Sequence, residues 1–275
     1  MNFSDVSVMC TAWRRPYYFR RVLESWAAAD GIGQIRRFVV SLGPTDRLDE
    51  QMKLIQEMSP RFGPGIEILP QSEHAVRGDG IRKPFGPHRA IAEAVTHCFA
   101  DPGVGFVVAG EEDVQVSSDV LTYMRWAATM FGDVPHVLLA CAHSKGGQGW
   151  DLQTPARDAT ADQEAVRLIR YFNAWGWGTW RDRWETILEP EWDYDCASGG
   201  PVQSGYDWNI QKRIMPRHRM RCAVPDASRS QNIGEREGWS SSPDRFALLQ
   251  AQSFRQRRDN PSYRLVTRDG ATVTA

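Results

Sequence analysis

The sequence predicts a single α/β domain with a mostly parallel central sheet flanked by helices. Three observations carry that prediction. Short apolar runs of strand composition alternate with stretches of helical periodicity through the first half of the chain. The apolar run at 105–109 ends on Gly110 and three consecutive acids, Glu111, Glu112 and Asp113, as where a buried parallel strand leaves its sheet. No linker composition and no internal repeat divides the 275 residues, a length that suits one large α/β domain.

Each element follows from its own residues. Residues 6–10 read as a short apolar strand. A helix is expected from Pro16, whose missing N–H costs nothing in a first turn. Phe19, Val22, Leu23 and Trp26 then repeat at the spacing of one buried helix face, and Gly31 and Gly33 end it. A strand at 37–41, a helix at 47–58 and a strand at 66–69 closed by Pro70 come next. Residues 71–87, with Gly, Arg, Lys and Pro and little periodicity, read as a long functional loop. A helix over 90–99 leads to the strand at 105–109. Ser117 and Ser118 can cap a helix running to about Met130, 136–142 is a strand, and 143–165 is a polar, glycine-rich loop. Residues 179–188 are expected to form a tryptophan-bearing helix, 207–214 another helix, and 220–224 a strand. The domain therefore covers 1–240, with 1–115 and 116–240 as its halves, and 241–275 is an arm or tail.

Composition excludes several classes. Lys plus Arg (33) balance Asp plus Glu (34), so no global field draws the chain to nucleic acid or to membranes. The opening residues lack a basic stretch followed by a long apolar run, and no run approaches about 18 apolar residues. No signal peptide and no membrane span are expected, and a cytoplasmic location is. Five scattered cysteines without CxxC spacing read as reduced, mostly buried thiols and argue against structural zinc.

The acidic triplet is where chemistry is expected, because ligands of such sheets bind outside the carboxyl ends of the strands. Three adjacent carboxylates repel one another. Either the turn is solvated, or a divalent cation removes the cost. Few hard oxygen ligands, completed by phosphate oxygens and water, suit Mg²⁺ or Mn²⁺. Such a cation stabilises the negative charge that grows on a leaving phosphate.

The order strand, Glu111-Glu112-Asp113-Val114, then Ser117-Ser118-Asp119 opening a helix resembles the N-acetylglucosaminyltransferase I family, whose motif at that strand end is Glu-Asp-Asp. Thr11-Ala12-Trp13-Arg14-Arg15-Pro16 resembles the opening of GT-A glycosyltransferases. The block from Trp175 to Trp184 is similar to a tryptophan-glycine block in that family and in a bacterial branch of small sugar transferases. The segment from Pro225 to Gly234 resembles the Asn-Ile-Gly segment near those enzymes' C-termini. The four pieces keep one order from about residue 6 to 238. The resemblance implies a single GT-A (nucleotide-diphospho-sugar transferase) domain. It implies metal-dependent, inverting transfer of a sugar from a nucleotide-sugar donor, a UDP-sugar above all, to an acceptor hydroxyl.

By that resemblance Asp113 is the direct ligand of Mn²⁺ or Mg²⁺, and Glu111 and Glu112 orient the sugar and ribose hydroxyls. Thr11 and Arg14 border the nucleotide. Ser228 and Arg229 lie on a loop that closes over the diphosphate, against the plainer reading of a surface loop. The base that takes the acceptor's proton falls in the segment 204–209, where Asp207 is the acid. The family pattern often shows two adjacent acids there, and Tyr206 stands in the first place. Asp207 could instead only cap its helix.

Two departures matter. Ser41-Leu42-Gly43 replaces the Asp that reads uracil, leaving that contact to the Ser41 backbone or to Asp46. No histidine lies beyond His218 to reach the metal. His88 and Arg89, after Arg82 and Lys83, approach the diphosphate or are solvated.

Seven of eleven tryptophans fall between Trp175 and Trp239. Indole faces stack on sugars and bases, but Trp177, Trp180 and Trp184 also recur at helical spacing. Trp180 and Trp184 are assigned to the core, and Trp175, Trp177 and Trp208 to the wall of an acceptor pocket.

The acceptor is expected to be a cytoplasmic glycan, a small molecule, or a hydroxymethylated base in DNA. The basic runs at 77–89 and 255–258 would hold a phosphate backbone or form a solvated face. Two other classes compete. A nucleotidyltransferase would show a Gly-rich loop and a Lys after the first strand, where 11–15 has two arginines and no glycine. A non-catalytic nucleotide-sugar-binding module would need neither metal nor base.

Overall fold

The apolar runs of the first half become parallel strands. A computed structural model describes residues 1–71, 73–74, 83–84, 86–144, 162–194, 205–235, 262–267 and 272–274. Strands are numbered in chain order. β1 (Val6–Ala12), β2 (Arg37–Leu42), β3 (Glu67–Pro70) and β6 (Phe106–Glu111) lie side by side as β3-β2-β1-β6, all parallel. β4 (Glu73–His74) and β5 (Lys83–Pro84) pair separately, within the segment predicted as a loop. Helices α1 (Pro16–Ala27), α2 (Leu48–Met58) and α3 (Pro87–Phe99) make the crossovers.

Helix α1 buries Pro16, Phe19, Val22, Leu23 and Trp26, the stripe that its periodicity predicts. Each large apolar side chain so buried contributes about 1.5–3 kcal/mol. The strands alternate as a sheet covered on both faces must. Val8, Cys10, Phe38, Val40 and Val108 share a core with α1 and α2, while Met9, Val39, Val107 and Ala109 share a second core with α3.

The second half adds β7 (Val114–Val116), α4 (Val120–Met130), β8 (Val137–Cys141), β9 (Ala165–Ile169) and β10 (Trp177–Trp180). α5 (Arg181–Arg183) runs on into a π turn at Trp184–Leu188, and α6 (Tyr206–Asn209) runs through Ile210–Ile214 into α7 (Met215–Arg217). β11 (Arg221–Pro225), β12 (Ser230–Asn232), β13 (Arg264–Val266) and β14 (Thr272–Thr274) complete the described chain. Ten strands form one sheet, β14-β13-β9-β11-β8-β10-β6-β1-β2-β3. Five of its nine pairings are parallel, so the predicted class, a mostly parallel sheet flanked by helices, is the one observed.

One element differs in kind. The helix predicted over 179–188 begins only at Arg181, because Trp177–Trp180 is a strand, antiparallel between β6 and β8. Both edges of this short run are hydrogen-bonded, and Gly178 lets its backbone lie on the Phe106 ring, which a Cβ would strike. Spacings of three and four among tryptophans fit a strand followed by a helix as well as they fit a helix.

At the other edge, β13 joins β9 in parallel. Tyr263 beside it is buried and donates from Oη to Asp119 Oδ2 over 2.6 Å. Part of the segment predicted as an arm or tail thus extends the sheet; 236–261 lies outside the described residues. The cysteines among the described residues, Cys10, Cys98, Cys141 and Cys222, are buried free thiols.

Candidate active site

Three residues singled out from the sequence stand in one row across the sheet. Ser41, Thr11 and Glu111 are register partners on β2, β1 and β6, at or next to the carboxyl end of each strand. In-register neighbours share a face, here the one covered by α3. Ser41 is buried, donates from Oγ to the Ala90 carbonyl (3.4 Å), and accepts at its own carbonyl from Gln71 Nε2 (2.8 Å).

Past Glu111 the chain turns, and successive carboxylates leave on different sides. Glu111 accepts at Oε1 from Tyr206 Oη (2.9 Å). Glu112 accepts from the Trp13 backbone N–H (2.6 Å) and from Arg15 Nε (2.7 Å). Asp113 Oδ2 lies 2.9 Å from Arg15 Nη1. Arg15 is the residue just before α1, and its guanidinium offsets the carboxylates of two buried residues, Glu112 and Asp113. Glu111 is compensated less well. Burial first, and then the charge of Asp113, raises its carboxyl to about 8, with Asp207 adding to the rise and the Tyr206 hydrogen bond and Arg15 opposing it. Beneath the triplet, burial and then the charges of Glu112, Glu111 and Asp113 push the Cys10 thiol well up.

Asp113 keeps one oxygen unspent, since Oδ1 is buried and has no hydrogen-bond partner. The other side of the site is closed by the segment around β12. β12 pairs with β7, the Ile233 N–H donates to the Asp113 carbonyl (2.7 Å), and Gly234 follows directly. A Cβ on Gly234 would strike Asp113 Oδ2 and sit 3.1 Å from Arg15 Nη1. Gly234→Ala is therefore expected to cost about 1–3 kcal/mol, as overpacking does. Gly33→Ala, where a Cβ meets nothing within 4 Å, is expected to stay within about 0.5 kcal/mol. Urea unfolding of the two variants makes the comparison, and equal stabilities would contradict the packing described.

Helix α6 approaches from the α3 side. Tyr206 faces inward and Asp207, one position on, is exposed, its carboxylate folded back over Gly205. His88, in the first turn of α3, has its ring centre 6.5 Å from that of Tyr206, and its Nδ1 is buried without a partner. Burial lowers the His88 pKa, against the raising effects of Asp193 and Asp207. Arg89 pairs along the same helix with Glu93 (2.8 Å). Among the described residues no group of three or more His, Cys, Asp and Glu could hold a metal.

No protein family and no curated protein matches the sequence. Solved structures do. The mannosyltransferase PcManGT from Pyrobaculum calidifontis, in complex with GDP-Man and Mn²⁺, superposes with a TM-score of 0.54 at 15% identity, over 90% of this chain and 68% of that one. S. aureus TarS 1-349 gives 0.52 at 14% identity, over 90% and 63%, and its complex with UDP-GlcNAc 0.52 at 16%, over 90% and 64%. This is a glycosyltransferase fold. The chain spans about two thirds of the length of each of these structures.

Within that glycosyltransferase fold several predicted residues lie away from the triplet. Arg14 turns outward to Asp46 (3.5 Å) and over the Trp13 ring; it is Arg15 that turns in. Arg229 is fully buried, between the rings of Tyr123 and Tyr263 (5.3 Å each) and 3.5 Å from Asp119 Oδ2, and donates to the carbonyls of Ala227 and Gln163. Ser228 is buried beside it, donating to the Ser230 carbonyl (2.7 Å) and accepting from the Ser144 N–H (3.2 Å). Around Arg229, aromatic faces, carbonyls and a carboxylate replace the water that an exposed guanidinium would keep. Trp177, expected on an acceptor wall, is 1% exposed and packs in the core, with its indole N–H 3.4 Å from Tyr206 Oη. Trp180 and Trp184 are core residues too. Trp175, against the His143 ring (4.7 Å), and Trp208, under Lys212 Nζ (5.2 Å), are partly exposed.

Sequence reasoning passed over Trp13, Arg15 and Gly234 as site residues. The signals were there: Arg15 immediately precedes a helix-opening proline, and Gly234 ends the Asn-Ile-Gly segment.

Proposed function

We propose that this chain moves a sugar from a nucleotide-diphosphate donor, a UDP-sugar being the first to test, to an acceptor hydroxyl, with inversion at the anomeric carbon. The observation that carries the proposal is the acidic triplet at the carboxyl end of β6 in a glycosyltransferase fold, with Asp113 Oδ1 buried and unengaged. The resemblance to the N-acetylglucosaminyltransferase I family supports the same assignment. So do the ligands of the matched structures, GDP-Man with Mn²⁺ in one and UDP-GlcNAc in another.

Asp113 would hold Mn²⁺ or Mg²⁺ through Oδ1, and the bound cation supplies charge compensation to the departing diphosphate. Glu112 accepts two hydrogen bonds and, as a carboxylate, has lone pairs left for a ribose hydroxyl. Glu111, held by Tyr206, faces the donor sugar, and Thr11 and Ser41 stand in the same row for the nucleotide. Asp207 accepts the proton of the acceptor hydroxyl as that oxygen attacks from the face opposite the diphosphate. The partly exposed indoles of Trp175 and Trp208 offer stacking surfaces for the acceptor, whether glycan, small molecule or hydroxymethylated base. Residues 1–115 act as the donor half and 116–240 as the acceptor half. No helix among the described residues is long and apolar enough to cross a membrane.

The test is a panel of nucleotide-sugars with Mn²⁺, following release of nucleoside diphosphate and binding by calorimetry. One donor is expected to bind with a metal requirement and to be slowly hydrolysed. Asp207→Asn is expected to keep that binding while transfer to an acceptor falls by about 10²–10⁴-fold, the usual worth of a general base. Absence of metal-dependent binding for every donor would sink the proposal. Pyrophosphate release from a nucleoside triphosphate would point to a nucleotidyltransferase instead.

A further inference from the structure

Tyr206 stands where the resemblance places the first of two acids, and it has no chemical role in the proposed reaction. Its surroundings are specific. The side chain is buried, 5% exposed, and stacks on Trp192 with ring centres 5.5 Å apart and planes 22° from parallel. Trp192 is itself anchored, its indole N–H donating to the His88 carbonyl (3.0 Å). Trp177 lies on another side, with ring centres 6.3 Å apart. The ring is therefore held in place by core packing, and the hydroxyl donates to one charged acceptor, Glu111 Oε1, at 2.9 Å. That bond joins the end of β6 to the first turn of α6, the helix that also carries Asp207. An acid at position 206 would set a further buried negative charge against Glu111, which is costly. A phenol gives the same position a donor.

We infer that Tyr206 is a positioning residue, which fixes Glu111 for the donor sugar and ties the helix bearing Asp207 to the donor site. The inference rests on the glycosyltransferase reading above. It has a consequence that a packing role lacks. A hydroxyl that affects the donor only through Glu111 has no further effect on donor binding once Glu111 is gone, whereas its contact with the Trp177 indole N–H (3.4 Å) and the packing of the ring stay the same in either case.

The test uses Tyr206→Phe, which keeps the ring, together with Glu111→Ala and the double variant. Calorimetry measures metal-dependent binding of the preferred nucleotide-sugar and of its nucleoside diphosphate, and thermal melting reports the fold. Tyr206→Phe is expected to fold, with a small fall in melting temperature because the buried Trp177 indole N–H loses its acceptor at 3.4 Å, and to weaken nucleotide-sugar binding about tenfold, as loss of a hydrogen bond to a charged group does. Binding of the nucleoside diphosphate is expected to hold within about twofold, because the sugar is the part that Glu111 faces. In the Glu111→Ala background the second substitution is expected to add nothing. Equal weakening of both ligands, full additivity of the two substitutions, or unchanged binding in Tyr206→Phe would each overturn the inference. Should Tyr206→Phe fail to fold, Glu111→Ala alone must show the same selective loss of the nucleotide-sugar, and an equal loss of both ligands overturns it. A wild type that binds neither ligand defeats the glycosyltransferase reading itself, and the inference falls with it.

Discussion

Asp113→Ala is expected to abolish the Mn²⁺ dependence of nucleoside-diphosphate binding and to lower sugar transfer by about three orders of magnitude. A metal that stabilises a departing diphosphate is worth several kcal/mol, and each ~1.4 kcal/mol is a factor of ten in rate. The loss is expected to be chemical rather than structural. The contact that joins β12 to the triplet runs from the Ile233 N–H to the backbone carbonyl of Asp113, which alanine retains. Arg15 also keeps Glu112 as a partner. Binding titrations with and without Mn²⁺, alongside a urea unfolding curve, separate the two kinds of effect. A variant that still requires Mn²⁺ would move the metal off Asp113.

Arg15→Met is expected to destabilise the fold by about 3–5 kcal/mol, the usual cost of removing one partner from a buried ion pair. Methionine keeps much of the apolar stem, so what is lost is the charge and the N–H donors facing Glu112 and Asp113. Those side chains are 8% and 11% exposed, and the Arg15 side chain 13%, so water cannot take over the guanidinium's part. Mn²⁺ is expected to restore part of the loss, because a ligand that binds only the native state stabilises it by mass action. The comparison is Arg14→Met, whose pair with Asp46 is exposed on both sides and is expected to matter by less than about 1 kcal/mol. Urea unfolding of both variants with and without Mn²⁺ decides the matter. Equal effects at the two arginines would refute the assignment of Arg15 as the counter-ion of the triplet.

The difference between Arg14 and Arg15 shows where the sequence stops being informative. The two are adjacent and chemically identical, and residue type cannot say which turns inward. The direction is set by how α1 leaves the end of β1 and by carboxylates on β6 and its turn, far away in the chain. Arg229 makes the same point in reverse. In a segment of Ser, Arg, Gln and Asn it reads as exposed, yet Tyr123, Tyr263 and Asp119 enclose it. Burial of a charge depends on partners that sequence spacing does not reveal.

What the sequence determined by itself is what short-range physics controls. The buried stripe of α1, the alternating strands of the first sheet half and the emergence of three acids at a strand end all follow from periods of 3.6 and 2. The single α/β domain follows from them. Tertiary structure alone decided the rest. It made Trp177–Trp180 a strand, because β6 and β8 supply hydrogen bonds on both edges. It turned Glu111 toward Tyr206 and Glu112 toward Arg15, and it laid Gly234 against Asp113. These contacts join residues far apart in the chain, and their energies depend on which groups are removed from water together. A local pattern carries no record of that.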